Sequence, residues 1–247
     1  MSEAPAISPL PTQGLSVFAR FWGILTAPRE TFADVAARPR WFDMMALVLV
    51  ITAICTGGFF STQVGQTAWL DKAVDAARQS GREMPEAQWA VMQKMASYMG
   101  AIYAVSTLVI APLMWLVVTG ILFAVFNAAL GGTATFKQLY AVFVHSTAVT
   151  VVQQVFVTPL NYVRETMSSA TNLSVFLPML DEGSFPARLL GMIDLFRVWW
   201  VMLLAVGLAV LYRRRTRSIA LALFSVYAVL ALAIATVMAI IAARSAA

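Results

Sequence analysis

The stretch Met192–Tyr212 reads MIDLFRVWWVMLLAVGLAVLY, and it decides the fold class. It is apolar except near its beginning, and it is long enough to cross the ~30 Å hydrocarbon core of a bilayer as a helix. Asp194 and Arg197 are three residues apart, which places them on one helix face. An ionisable group at the centre of a membrane costs about 2.5 to 3.5 kcal/mol on insertion scales. We therefore expect Asp194 and Arg197 to pair and to face protein or water.

The composition of the whole chain agrees with a membrane location. Hydrophobic residues make up 60% of the sequence and charged residues 12%, against about 45–50% and about 25% in soluble domains. The mean hydropathy is +0.78. The net charge of +5 comes from arginines beside the apolar runs, so we expect the lipid bilayer, and no nucleic acid, as a partner.

Five apolar runs predict an all-α membrane protein with five transmembrane helices in residues 42–247. Each run has about the length that a spanning helix needs. The second run is long and contains Pro112, which predicts a tilt or a kink there. The predicted spans are approximately residues 44–62, 98–126, 139–157, 189–212 and 219–242.

The N-terminal region differs from the rest of the chain. Residues 1–14 are rich in Pro and lack periodicity, which predicts a flexible tail. In residues 15–41, apolar side chains recur at helical spacing with Arg20 off their stripe, and Pro28 and Pro39 mark a second helix. This pattern predicts amphipathic helices along the membrane surface; a soluble tether is the alternative. The expected interfacial aromatic residues are Phe18, Trp22 and Trp41.

A group of arginines predicts the orientation in the membrane. Arg213, Arg214, Arg215 and Arg217 fill the short link before the last apolar run. Short loops rich in Lys and Arg remain on the cytoplasmic side. With five spans, the N-terminus is then cytoplasmic, and Arg213, Arg214 and Arg215 are expected at the interface.

A second set of polar residues lies in the third run. Ser146, Thr150, Gln153 and Gln154 form one helical stripe, which predicts that this face looks into the bundle. Since the third and fourth spans run in opposite directions, Gln153 and Gln154 are expected at the depth of Asp194 and Arg197. His145 is expected nearer the cytoplasmic side. We interpret the cluster of Gln153, Gln154, Asp194 and Arg197 as a contact between helices; a path for an ion or solute is the alternative.

The sequence offers little for catalysis. It has one histidine and one cysteine, so it holds neither an HExxH pair nor a zinc-ligand set. A single intramembrane aspartate cannot form a two-carboxylate site. We expect no enzyme activity, no catalytic residue, no metal and no cofactor.

Three segments together resemble the Yip1-domain family. LTAPRETFADVAARPRWFD (Leu25–Asp43) is similar to the proline- and aromatic-containing segment that precedes that family's first span. GGTATFKQLYAVFVHS (Gly131–Ser146) resembles its glycine turn and the stretch that leads into its third span. MIDLFRVWWVMLLAVGLAVL (Met192–Leu211) looks like its fourth span.

The resemblance implies a five-helix Yip1 domain with a cytoplasmic N-terminus. In the eukaryotic branch such proteins act in traffic from the endoplasmic reticulum to the Golgi and contact Rab GTPases, partly through a DLYGP motif. This sequence contains no DLYGP, so it resembles the prokaryotic branch, and no Rab-type GTPase is expected. We expect a protein of the bacterial inner membrane that acts as a scaffold or adaptor for lipids or partner proteins, with a membrane-protein partner or a second copy bound. A small-solute or ion transporter that uses the cluster around Asp194 and Arg197 is the alternative.

Overall fold

The computed structural model describes residues 14–79, 84–167, 169–177, 179–180 and 184–245, with the side chains of residue 79 and residues 241–245 left out. The tail predicted at residues 1–14 lies outside the described residues apart from Gly14. The described chain is built from α-helices, and it belongs to a multi-pass membrane protein. The helices are α1 (Val17–Thr26), α2 (Pro28–Ala37), α3 (Phe42–Ser61), α4 (Gln63–Gln79), α5 (Glu86–Ala96), α6 (Met99–Phe123, continued by a π-turn at Ala124–Ala129), α7 (Phe136–Ser146), α8 (Ala148–Val163), α9 (Phe185–Met192), α10 (Leu195–Leu211) and α11 (Thr216–Ser245).

Four helical segments in the described part of the chain are long and apolar enough to cross a membrane. They are α3, α6 with its π-turn, α7 together with α8, and α11. The helix α10 is apolar but has only 17 residues. We predicted one helix over residues 189–212, and this was wrong because the chain breaks at Ile193 and Asp194, between α9 and α10.

The core is centred on α7. Every side chain from Leu139 to Ser146 is buried, because α2, α6 and α10 pack around this helix. The ring of Phe32 lies on α10 at Gly207, where a Cβ atom would approach a ring carbon to 2.9 Å. The bundle therefore encloses α7, while α6 and α11 leave most of their apolar side chains exposed.

The two ends of the bundle differ in chemistry. At one end, which we call the arginine end, α2 lies beside the link Arg213–Arg217, and the Gly131–Gly132 turn lies against Tyr212. There the Gln138 side chain donates to the Ala36 carbonyl at 3.1 Å, and Gly131 has a φ of +67° that suits glycine. The opposite end holds the connection between α8 and α9.

Two helices of the described chain lie between the first two predicted spans. The helix α4 follows directly after α3, and α5 precedes α6. Phe59 and Phe60 at the end of α3 pack with Ala68 of α4 and Met99 of α6. These contacts give α4 a buried face, which its mixed composition did not reveal.

The contact between α3 and α6 depends on Gly57, and we expect Gly57→Val to weaken it. A Cβ at this position would lie 2.9 Å from the Ala104 Cβ and 3.1 Å from the Gly100 carbonyl oxygen. Such crowding in a packed interface costs about 1–3 kcal/mol, and helix association in membranes relies on close packing of small residues. Gly58→Val is the matched control, because no atom lies within 4 Å of a Cβ there. Thermal unfolding in detergent checks this; equal melting temperatures for the two variants would contradict it.

Candidate functional site

Asp194 begins the helix α10. It is the N-cap residue, and its Oδ1 accepts hydrogen bonds from the backbone N–H groups of Phe196 at 2.9 Å and Arg197 at 3.3 Å. These two amides have no partner inside the helix, so an acidic side chain at this position stabilises the helix start. A buried acid in an apolar run is thus explained by a cap.

The other carboxylate oxygen of Asp194 fixes the preceding loop. Its Oδ2 accepts from the hydroxyl groups of Ser169, at 2.8 Å, and Thr171. The backbone of the same segment pairs with that of the break, since the Leu173 N–H donates to the Ile193 carbonyl at 2.9 Å. We call this arrangement the Asp194 clamp; it consists of Asp194, Ser169, Thr171 and the amides of Phe196 and Arg197.

The predicted ion pair between Asp194 and Arg197 is wrong, because the two side chains do not pair in the structure. Asp194 is buried, with 6% of its surface exposed, whereas Arg197 is exposed. Burial alone raises the pKa of Asp194, but the hydrogen bonds from Thr171, Ser169 and the two amides outweigh it, so the pKa lies below its ordinary value of 3.8. The carboxylate is stabilised by neutral donors, and no ion pair joins it to Arg197 among the described side chains.

Arg197 instead lines a cavity between α8, α10 and α11. The cavity has a volume of about 500 Å³, and its polar lining includes Gln153, Thr150 and Tyr227. The Tyr227 hydroxyl donates to the Met192 carbonyl and also interacts with the Arg197 guanidinium. Gln153 and Arg197 thus line one cavity, whereas Asp194 does not line it and accepts its hydrogen bonds within the clamp.

Gln154 and His145 lie apart from this cavity. The Gln154 side chain accepts from Thr158 of its own helix at 3.3 Å. His145 is buried, and its Nδ1 lies 2.8 Å from the Ala141 carbonyl oxygen. It lies in the first half of the segment Phe136–Val163, which begins at the arginine end.

An ion pair that the sequence pattern did not predict joins α1 to α2. Arg20 is 2% exposed, and its guanidinium lies 2.8 Å from the Asp34 carboxylate. The same group donates to the carbonyls of Arg38 at 3.1 Å and Arg40 at 3.3 Å. We had placed Arg20 off the apolar stripe of α1; it points inward and fastens α1 to α2. One signal was available, namely a single arginine in an apolar helix followed by an acidic residue in the next.

The remaining predicted interfacial residues occupy the surface of the arginine end. Phe18 and Trp22 of α1 are 64% and 63% exposed. Trp41 is half-buried, with its ring centroid 5.3 Å from that of Tyr140. The side chains of Arg213, Arg214 and Arg215 are exposed. Arg213 has a φ of +52°, an unusual value for a residue with a Cβ.

The part of the chain that the structure describes holds no group of three or more His, Cys, Asp or Glu side chains that could bind a metal ion. Cys55 is free and half-buried in α3. The polar groups described above lie in the Asp194 clamp, in the cavity beside Arg197, and at the arginine end.

The sequence match to a protein family extends over most of the chain. A model of the Yip1 domain matches residues 22–239. The chain belongs to the Yip1 family. The match extends from α1 to α11 and includes the Asp194 clamp and the arginine link, so the predicted family is confirmed. No curated protein and no solved structure matches this Yip1-domain chain.

Proposed function

We propose that this Yip1-domain protein is a non-enzymatic scaffold or adaptor that organises membrane lipids or partner proteins. The observation that carries the proposal is the surface of α1. Phe18 and Trp22 are exposed on this helix while Arg20, between them, is buried in an ion pair with Asp34. A rigidly held helix that displays aromatic side chains is suited to a membrane interface or to a partner helix.

We also propose five spans, with α10 as the fourth. Its 17 residues are at the lower limit of about 17 to 25 for a spanning helix. The capped Asp194 then lies at one membrane surface, and the arginine link lies at the other. The density of arginine in that link supports a cytoplasmic arginine end and N-terminus. We propose the inner membrane of a bacterium as the location, because the sequence contains no DLYGP and so resembles the prokaryotic branch of the family.

A transporter or channel is the second candidate, and the cavity beside Arg197 favours it. Gln153, Arg197 and Tyr227 supply polar groups inside an otherwise apolar wall. A path across the membrane needs such groups at several depths, and this cavity supplies one layer. The scaffold is therefore the first proposal.

Site-specific photocrosslinking in native membranes tests the scaffold. A photoreactive phenylalanine analogue replaces Phe18 or Trp22, and the same analogue replaces Tyr98 as the control. Tyr98 is equally aromatic and exposed but lies at the opposite end, at the start of α6. We expect the two α1 positions to capture the same membrane protein or a second copy of this chain, and Tyr98 to miss it. Failure of both α1 positions to capture any reproducible protein would contradict the adaptor role.

A further inference from the structure

A groove at the arginine end gathers positive charge from separate parts of the chain. Five arginines line it, and its volume is about 700 Å³. We call it the arginine groove and define it by Arg29, Arg213, Arg214, Arg215 and Arg217.

The arrangement of arginines in the groove goes beyond what membrane orientation requires. Arginines within the link suffice to keep a short loop on the cytoplasmic side. That signal does not require Arg29, which comes from α2, to face the same groove. Arg29 reaches it because α2 packs on α10, where the Phe32 ring lies against Gly207. The fold thus brings a distant arginine to a link that is already basic.

The charge of the groove is not neutralised within the described chain. Among the described residues, the arginines that form ion pairs are Arg20, Arg38 and Arg78, and none of them belongs to the groove. All five groove arginines are exposed. Guanidinium groups bind phosphate oxygens through paired N–H donors, so a phosphate group satisfies both the charge and the geometry.

The floor of the groove is small and apolar. Ala33 of α2 and Ala209 and Val210 of α10 form it. A basic rim over an apolar floor, beside the ends of α10 and α11, fits an amphiphile whose phosphate meets the arginines while its glycerol and first acyl carbons lie on the alanines. The groove wall also contains Thr216 at the start of α11, whose helix dipole adds to the field of the arginines.

We propose that the arginine groove binds the phosphate headgroup of an anionic phospholipid. The site rests on the proposed scaffold function, since it names the lipid class that the scaffold organises. Lipid binding would give the arginine groove a role beyond setting the membrane orientation.

Native mass spectrometry of the full-length protein in detergent tests this site. The protein is equilibrated with equal amounts of dioleoyl phosphatidylglycerol and dioleoyl phosphatidylcholine, and the retained lipids are counted. We expect the wild type to retain phosphatidylglycerol at least about 10-fold over phosphatidylcholine, since each arginine near an anionic headgroup adds about 5-fold in affinity. Equal retention of the two lipids by the wild type would overturn the proposal.

Two variants locate the binding in the groove. Arg29→Gln/Arg213→Gln/Arg215→Gln removes three charges, and Arg78→Gln/Arg164→Gln/Arg188→Gln is its control with the same loss of charge outside the groove. Ala33→Phe fills the floor and keeps every arginine, and Ala37→Phe, on the same helix but outside the groove, is its control. Both groove variants are expected to lose the preference for phosphatidylglycerol and both controls to keep it. A groove variant that binds like the wild type, or a control that loses the preference, would overturn the site.

Inorganic phosphate distinguishes a lipid from a free anion. A lipid site keeps its preference for phosphatidylglycerol in millimolar phosphate at constant ionic strength, because the acyl chains remain bound. Displacement of the lipid by millimolar phosphate would assign the groove to a free anion and overturn the proposal. The scaffold proposal is tested separately. An absence of crosslinking at Phe18 and Trp22 would contradict the scaffold and would leave the measured lipid preference unchanged.

Discussion

Replacing Arg20 by Ala is expected to lower the free energy of unfolding by about 3 kcal/mol or more, the cost of breaking a buried ion pair from one side. The Arg20 side chain is 2% exposed and lies 2.8 Å from the Asp34 carboxylate. Its removal leaves that carboxylate, together with the carbonyls of Arg38 and Arg40, without the group that joins them. Since this group holds α1 against α2, the exposed aromatic surface of α1 is expected to detach before the rest of the bundle unfolds.

Thermal unfolding of the purified protein measures the loss, and limited proteolysis shows whether cleavage begins near α1. Arg78→Ala is the matched control, because Arg78 pairs with Asp75 on the surface, where the side chains are 77% and 62% exposed. Exposed pairs contribute about 0–1 kcal/mol. Similar unfolding of the two variants would show that Arg20 does not fasten α1 in the membrane-embedded protein.

The position of Arg20 also shows where sequence reasoning stops. Helical periodicity places an arginine within an apolar helix toward water, since a charge is costly to bury. The acceptors that compensate this cost are carbonyls of Arg38 and Arg40, on either side of Pro39. Their convergence on Arg20 depends on the turn between α1 and α2. The residue pattern of α1 alone therefore cannot predict this convergence.

The membrane character and the family follow from the sequence, but the course of the fourth apolar run does not. Hydropathy averages over Ile193 and Asp194, so residues 189–212 read as one span. Asp directly before an apolar run is nevertheless a helix N-cap signal, and it marks the start of α10 at Leu195. The partners Ser169 and Thr171 lie in an irregular loop with no periodicity, and only the tertiary structure identifies them.

The candidate sites divide in the same way. Gln153 and Arg197 line one cavity, but Gln154 and Asp194, which were predicted at the same depth, do not line it. The convergence of Arg29 with the link Arg213–Arg217 could not be predicted, because it depends on how α2 packs against α10. Periodicity indicates which residues share a helix face, whereas the partners of that face require the packed structure.

Replacing Asp194 by Ala is expected to lower the free energy of unfolding by about 2–4 kcal/mol. The helix cap contributes about 1 kcal/mol, and hydrogen bonds to a charged acceptor contribute about 1.5–3 kcal/mol each before the remaining groups relax. Asp194→Asn is the matched variant. Asn caps a helix as well as Asp does, and the hydroxyls of Ser169 and Thr171 can turn to its amide, so we expect a loss of about 1 kcal/mol for it.

The pH dependence of the difference between wild type and Asp194→Asn tests the charge. Because the pKa of Asp194 is lowered in the folded protein, the contribution of the carboxylate is complete above the ordinary value of 3.8. It decreases as the pH falls from that value through the folded pKa, since the unfolded chain takes up the proton first. The difference in melting temperature is therefore expected to be constant from neutral pH down to about 5 and to shrink below the ordinary value. A difference that changes near neutral pH would contradict a carboxylate held by the clamp.

The same variant separates the two proposed functions. In a proton-driven transporter the ionisable group exchanges its proton during transport, so Asp194→Asn would abolish uptake into liposomes while the fold survives. In the structure Asp194 is buried and accepts four hydrogen bonds, and it does not line the cavity beside Arg197. We therefore expect Asp194→Asn to change stability alone.

If liposomes show uptake, Arg197→Gln is expected to reduce it and Asp194→Asn to leave it intact, because Arg197 lines the cavity and Asp194 belongs to the clamp. Loss of uptake in Asp194→Asn at an unchanged melting temperature would reverse this assignment and favour a transporter.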